Sequence, residues 1–231
     1  KGHLASCLSP VDILVSLYHD SETLFEHKKD TIIHSKGHGS PAAYPILADL
    51  GYFPEDELDK YCTPDGILRL HADSTIPGCE FIGGSLGNGI GYAAGVAYAS
   101  EKNVYAIMGD AELYEGSVWE TLIFAAHHKI NNLRIIVDRN GMGILGKTEE
   151  LLKLDPLDEK FRSFGFEVDV IDGHDFEQLR RVFSKETDVP QVIIANTIKG
   201  KGVSYMEDIW QYHTIIPKDD ESIKTGMEEL S

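Results

Sequence analysis

Between residues 104 and 197, short apolar runs rich in β-branched residues alternate with stretches of helical periodicity. The runs fall at 104–108, 133–138, 166–171 and 191–197. Helical stretches fill 117–130, 156–164 (closed by Gly165) and 175–185. Strands that read as nearly continuous apolar runs are buried on both faces, and strands joined through helices run parallel. The spacing therefore predicts an α/β fold, a mostly parallel sheet with helices on both faces. Right-handed crossovers make the first two of these strands expected neighbours.

Both of those strands end in polar turns. Gly109-Asp110-Ala111-Glu112 closes the first, and Asp138-Arg139-Asn140-Gly141 closes the second about thirty residues later. Ligands of open parallel sheets bind at the carboxyl edge. Mg²⁺ takes about six oxygens and is held by one or two protein groups plus substrate phosphates. Asp110 offers a carboxylate, Asn140 an amide oxygen, and the turn after Asn140 a backbone carbonyl, that of Met142. The same residues also serve as ordinary turn formers, and spacing alone leaves both readings open.

The first hundred residues read as helical. Ser9 is the expected N-cap of a first helix, with Pro10 at its first position and Ile13, Leu14 and Leu17 as its apolar face. Further helices are expected over 41–50, ending at Gly51, and after Pro54. The stretch 86–100, dotted with Gly87, Gly89, Gly91 and Gly95, reads as a buried helix whose amino end faces something. Its small residues permit close approach of another backbone. The 231 residues suffice for one domain: a helical region 1–100, a regular βα region 101–200 and a polar tail 201–231. A net charge of -17 argues against nucleic-acid binding, which needs a basic face. No run is apolar enough for a membrane span. Three cysteines without CxxC spacing suit a reducing cytoplasm. The opening Lys1-Gly2-His3 looks like a mid-domain start.

Motif order then adds a family resemblance. Gly2-His3, Ser35-Lys36-Gly37-His38-Gly39, His71, the loop Gly83-Gly84-Ser85-Leu86-Gly87-Asn88-Gly89, Gly109-Asp110-Ala111-Glu112-Leu113-Tyr114-Glu115-Gly116, Asp138-Arg139-Asn140, Lys199-Gly200-Lys201-Gly202 and His213 occur in succession. In that order they resemble the amino-terminal half of transketolase, within the thiamine diphosphate enzymes. The resemblance implies thiamine diphosphate bound through Mg²⁺ (or Ca²⁺ or Mn²⁺) on Asp110, Asn140 and the Met142 carbonyl. It implies a cofactor site that includes His38, Gly84, Leu86, Gly109, Ala111, Glu112, Ile144 and His213. Catalytic roles fall to His3, His38, His71 and His213 in proton transfer, and to Glu115 near a subunit interface. Ala111 stands where the family has a second glycine, and His71 lies in Leu70-His71-Ala72 rather than Gly-His-Pro.

Ordinary readings stand beside these. Glu115 and Glu120 also suit the first turn of a helix. Leu86, Met142 and Ile144 suit a core, and Lys199 and Lys201 suit solvent as well as they suit contact with a diphosphate. His19, His27, His34, His127, His128 and His174 read as surface or satisfied core residues. A single diphosphate-binding module is expected, without a pyrimidine module or a basic cluster for a sugar phosphate. The expectation is a heterotetramer with a separate carboxyl-terminal transketolase-type subunit, inactive without it, moving a two-carbon ketol unit between sugars or sugar phosphates. The alternatives are a 2-keto acid decarboxylase or dehydrogenase component, a 1-deoxyxylulose-phosphate-synthase relative, or a non-catalytic relative.

Overall fold

The computed structural model describes residues 2–20, 25–26 and 29–231, so His27 lies outside the described residues. Among the described residues, five parallel strands form one sheet in the order β1-β2-β3-β5-β4: β1 (Thr31–His34), β2 (Val104–Gly109), β3 (Leu133–Arg139), β4 (Glu167–Asp172) and β5 (Gln191–Asn196). The expected neighbours pair directly, with Gly109 opposite Asp138. Side chains alternate across the pleat, which divides the core in two. Tyr105, Ile107, Ile136 and Ile193 face a layer that includes α2 (Val11–His19), α3 (Tyr44–Asp49) and α8 (Phe176–Phe183). Val104, Ala106, Met108, Ile135 and Val192 face α4 (Asn88–Ala99), α5 (Gly116–His127) and α7 (Leu157–Ser163). Both faces of the sheet are covered, as expected. Edge strand β4 is buried only at Val168 and Ile171, whereas β1, β2 and β5 are almost wholly buried.

Several local expectations change. The amino-terminal region is not purely helical: Thr31-Ile32-Ile33-His34 is β1, paired with β2. The chain opens with a short helix α1 (Leu4–Leu8), and the Ser9 side chain caps neither α1 nor α2. Its hydroxyl is drawn instead to Asp138, whose charge makes it a strong acceptor. The stretch 41–50 splits into a 3₁₀ segment (Gly37–Ala43) and α3, and the helix after Pro54 is 3₁₀ (Glu55–Lys60). A short α6 (Thr148–Leu151) comes after the β3 turn, and the polar tail contains a helix, α9 (Asp220–Glu229), capped by Asp219. Helix α4 is only half buried, since Gly91, Tyr92, Gly95 and Tyr98 face outward. Its amino end is where glycine is required. Gly87 has φ +79°, and a Cβ on Gly89 would lie 2.6 Å from Ser35 Cα.

Candidate functional site at the carboxyl edge of the sheet

Four adjacent strand ends converge. The segments after β1, β2, β3 and β5 deliver Ser35-Lys36, Asp110, Asn140 and Thr197-Lys199. Buried Asp138 is the hub, accepting from Ser9 Oγ at 2.7 Å and from Lys36 Nζ and Thr197 Oγ1. Burial alone would raise its carboxyl, but the Lys36 ammonium and these donors hold it below the usual carboxylate range. Lys36 Nζ also donates to Ser6 O at 2.8 Å and Ser9 Oγ at 3.0 Å. Its three donors are therefore satisfied although the side chain is only 3% exposed.

Asp110 is as buried but less compensated. Its Oδ2 accepts from Gly141 N at 2.8 Å and lies 3.4 Å from Arg139 Nη1. Desolvation dominates and lifts the carboxyl to about 6, with Arg139 opposing and Asp138 assisting. Asn140 Oδ1 accepts from Met142 N at 3.1 Å and Nδ2 donates to Ser9 Oγ at 3.3 Å, which fixes the amide. The turn is closed by Thr148 N to Gly141 O and Gly143 N to Gly146 O, both 2.9 Å, and the Met142 carbonyl receives no backbone hydrogen bond from the described residues. No three His, Cys, Asp or Glu side chains cluster as a metal site among the described residues. A divalent ion here would need a mixed set of Asp110 carboxylate, Asn140 amide and Met142 carbonyl, completed by ligand oxygens. A buried carboxyl carrying an uncompensated desolvation cost fits such an ion.

Glu112 is a strut. Its carboxylate accepts from Gly109 N (2.9 Å), Gly87 N (2.8 Å) and Ser35 Oγ (2.6 Å), tying together three loops. Burial raises its carboxyl, with these donors opposing. Ala111 lies in a 3₁₀ turn (Asp110–Tyr114) and is absent from the positive-φ residues, so replacing glycine costs no strain there.

The four histidines singled out from the sequence meet. Ring centroids lie 5.4 Å apart for His3–His38, 5.1 Å for His3–His213, 5.0 Å for His38–His213 and 6.1 Å for His3–His71. His3 Nδ1 is 2.9 Å from the His213 carbonyl. A carbonyl only accepts, so this nitrogen carries the proton and Nε2 is the basic atom of the neutral ring. Burial, reinforced by Lys36, His213, Lys199 and His3, drives His38 far below the usual imidazole range. Burial, then Lys199, His3 and Lys36, bring His213 to about 3. Burial and His3 lower His71 less. Lys199 is 1% exposed, donates to Ser6 Oγ at 2.8 Å and sits 3.2 Å from His213 Nδ1. Desolvation, then Lys36, lower it to about 7.

A cleft of about 190 Å³ is lined among others by Lys36, His38, Leu86, Asp110, Asn140 and Ile144, while His3 and His71 stand outside its lining. The transketolase thiamine diphosphate-binding domain model matches residues 1–229. This chain belongs to the transketolase family. It is 40% identical to an apulose-4-phosphate transketolase subunit of Actinobacillus succinogenes, covering 99% of this chain and 87% of that one. It is 36% identical to the 6-deoxy-6-sulfo-D-fructose transketolase subunit SqwG of Clostridium sp. (strain MSTE9), covering 99% and 88%. The crystal structure of transketolase from Campylobacter jejuni superposes with a TM-score of 0.88 at 28% identity, over 99% of this chain but 39% of that one.

The transketolase fold gathers most of the residues named from sequence. Gly109, Ala111, Glu112, Met142 and His213 also line the cleft. Leu86 and Ile144 line it while 40% and 53% exposed, so they are not core. Gly84 lies outside the cleft, packed on Gly37. Glu115 is exposed at the start of α5, beside Gly87 and outside the cleft lining. Lys199 is buried rather than solvated, and His34 is buried with its Nε2 unpartnered among the described residues rather than satisfied. Sequence reasoning missed Lys36, Ser6, Ser9 and the hub role of Asp138. The available signal was the β-branched run 31–33 just before Ser35-Lys36, which marks another strand end at the same edge.

Proposed function

We propose that this chain is the diphosphate-binding subunit of a two-chain transketolase, moving a two-carbon ketol unit from a ketose to an aldose acceptor. The observation that carries this reading is the cleft lined by both the Asp110–Asn140 turn pair and the His38 and His213 rings, with the His3 ring packed against both histidines. Thiamine diphosphate would be held by Mg²⁺, or by Ca²⁺ or Mn²⁺ on the same oxygen donors, through Asp110, Asn140 and the Met142 carbonyl. Lys36 and Lys199 bring positive charge to the diphosphate. When bound, the cofactor supplies the electron sink that lets the donor's C2–C3 bond break.

The chain's own residues then bind sugar hydroxyls and move protons. His38 and His213, kept neutral by burial and neighbouring lysines, serve as hydrogen-bonding groups. His3, whose Nδ1 contact to the His213 carbonyl leaves Nε2 as the basic nitrogen, is the base for a substrate hydroxyl. The apolar lining from Leu86, Met142 and Ile144 receives the thiazolium ring. Glu115, exposed beside the α4 loop, suits contact with a partner. That partner is a separate chain with the pyrimidine module, two copies of each forming a heterotetramer. The relatives' names specify sugars bearing an anionic group, and a sugar phosphate or similarly charged sugar is the substrate class we assign. Three free cysteines and the absence, among the described residues, of any helix able to cross a membrane agree with a cytoplasmic enzyme.

The test is reconstitution. The chain and a candidate pyrimidine-module chain are purified separately and together with thiamine diphosphate and Mg²⁺. Ketol transfer is expected only from the mixture. Full transfer by the isolated chain would overturn the two-chain reading, and turnover of pyruvate in place of a ketose would move the assignment to keto acid chemistry.

A further inference from the structure

Lys199 reaches the cleft from an irregular loop, 197–199, and something must hold that loop against the sheet edge. The loop after β4 does so. Gly173 N donates to Asn196 O at 2.8 Å, and a Cβ on Gly173 would lie 2.5 Å from Thr197 Cγ2, so the two loops are in direct contact. The next residue, His174, is wedged between two elements. Its Nε2 lies 2.9 Å from the Ile198 backbone N, and its Nδ1 lies 2.7 Å from Asp12 Oδ2 in the first turn of α2. An amide N–H only donates and an ionised carboxylate only accepts. Both contacts are therefore satisfied by one species, the neutral ring with its proton on Nδ1.

We infer that His174, oriented by Asp12, is a positioning residue that pins the Ile198 amide and so sets where Lys199 stands in the cofactor cleft. The connection is short on both sides. Ile198 is flanked by Thr197, whose hydroxyl donates to Asp138, and by Lys199, whose ammonium bonds Ser6 Oγ. Asp12 lies three residues beyond Ser9, which bonds the same Asp138. One imidazole thus links the start of α2, the β4–α8 loop and the β5 loop, and each of these except the β4–α8 loop also feeds the Asp138 hub. His174 does not line the cleft, and its side chain is 12% exposed. It acts through the loop. Hydrogen-bonded groups behind a site's direct contacts typically change affinity or activity by about 10–100-fold when removed.

The consequence for catalysis rests on the transketolase reading, but the positioning itself does not, and the test separates them. His174→Phe removes both hydrogen bonds while keeping a ring, and His174→Gln keeps an acceptor that can reach Ile198 N. Asp12→Asn loosens the orienting contact and covers the case in which the Phe variant does not fold. The first readout needs no cofactor: the pH dependence of Lys199 acylation by an amine-reactive reagent, read peptide by peptide by mass spectrometry. In the native chain the midpoint is expected near 7. In His174→Phe it is expected to rise by about one pH unit or more as the lysine regains water. Asp12→Asn should move it the same way by less, and His174→Gln should leave it near the native value. The second readout is thiamine diphosphate affinity with Mg²⁺ in the two-chain complex, expected to weaken by about tenfold or more in His174→Phe and far less in His174→Gln. An unchanged Lys199 midpoint in a folded His174→Phe or Asp12→Asn variant would overturn the inference, as would a His174→Gln variant that behaves like His174→Phe. If the native complex binds no thiamine diphosphate, the functional reading fails while the Lys199 titration still decides the positioning.

Discussion

Asp110 is where residue-scale physics and function conflict. Its carboxyl sits at about 6 in the fold because burial outweighs Arg139, against an ordinary aspartate value of 3.8. A folded-state value raised above the unfolded one contributes stability that is fully present below the ordinary value and is lost as pH rises through about 6. At pH 7 the cofactor-free chain therefore carries a penalty of roughly 3 kcal/mol at most. Asp110→Asn is expected to raise the urea midpoint of the cofactor-free chain at pH 7. The same change should weaken Mg²⁺-dependent thiamine diphosphate binding by about 3 kcal/mol, or roughly a hundredfold, the scale of a lost charged contact. Asp155→Ala, at an exposed partner of Arg139, should do neither. A variant that loses stability but keeps binding would remove Asp110 from the metal site. Lys199 carries a second residue-scale prediction. Desolvation and Lys36 hold it near 7, so most of the amine is neutral at pH 8. A bound diphosphate restores its proton. Calorimetry in two buffers of different ionisation enthalpy should register proton uptake on cofactor binding at pH 8, fading below pH 6.

Helix α4 shows how much of an element its sequence specifies. Its glycines look alike in the chain, yet the fold uses them differently. Gly89 sits where a Cβ would strike the Ser35 backbone, so Gly89→Ala should cost about 1–3 kcal/mol by pushing α4 off the loop that carries Ser35 and Lys36. Gly95 is exposed with nothing within 4 Å of a Cβ, and Gly95→Ala should stabilise the chain by about 0.5–1 kcal/mol through helix propensity. Urea unfolding of both variants checks the pair, and equal effects would contradict this geometry. The regular βα part, 104–197, is legible in the sequence because its period changes are strong and its strands are mostly buried on both faces. Strand β1 is not, because four residues ending in a histidine carry little pattern, and its identity comes from pairing with β2. Ser9 reads as a helix cap because caps and buried carboxylate partners use the same hydroxyl, and only the fold reveals that Asp138 claims it. The two strand-end turns that carry Asp110 and Asn140, and the meeting of the four histidines, can be read from motif order. Lys36 cannot, since a lysine between serine and glycine looks solvated until the strand before it is recognised.

At the scale of the whole molecule, the cost of keeping a polar site buried should appear as acid sensitivity. His34 is fully buried with its Nε2 unpartnered among the described residues, and desolvation brings it to about 4. His213 is brought to about 3, and His38 is lowered further still. In the unfolded chain each returns to about 6.5. For a base with a depressed folded value, stability is fully present above about pH 6.5 and is lost as pH falls towards the folded value. Each such histidine adds up to about 1.4 kcal/mol per pH unit to the slope within that window. Asp110, raised by burial, pulls the other way below about pH 6, and Glu112, also raised by burial, acts in the same sense, so the net loss is smaller than the histidine sum. Urea unfolding between pH 7 and 5 should therefore show stability decreasing as the solution is acidified. His34→Leu removes one contributor outside the cleft and deletes an unpaired buried nitrogen. It is expected to gain stability at both pH values and to gain more at pH 5, which flattens the profile. Glu112 cannot be tested in the same simple way, because its carboxylate holds three loops together. A His34→Leu profile parallel to the native one would mean that His34 is protonated, and reached by water, in the folded chain.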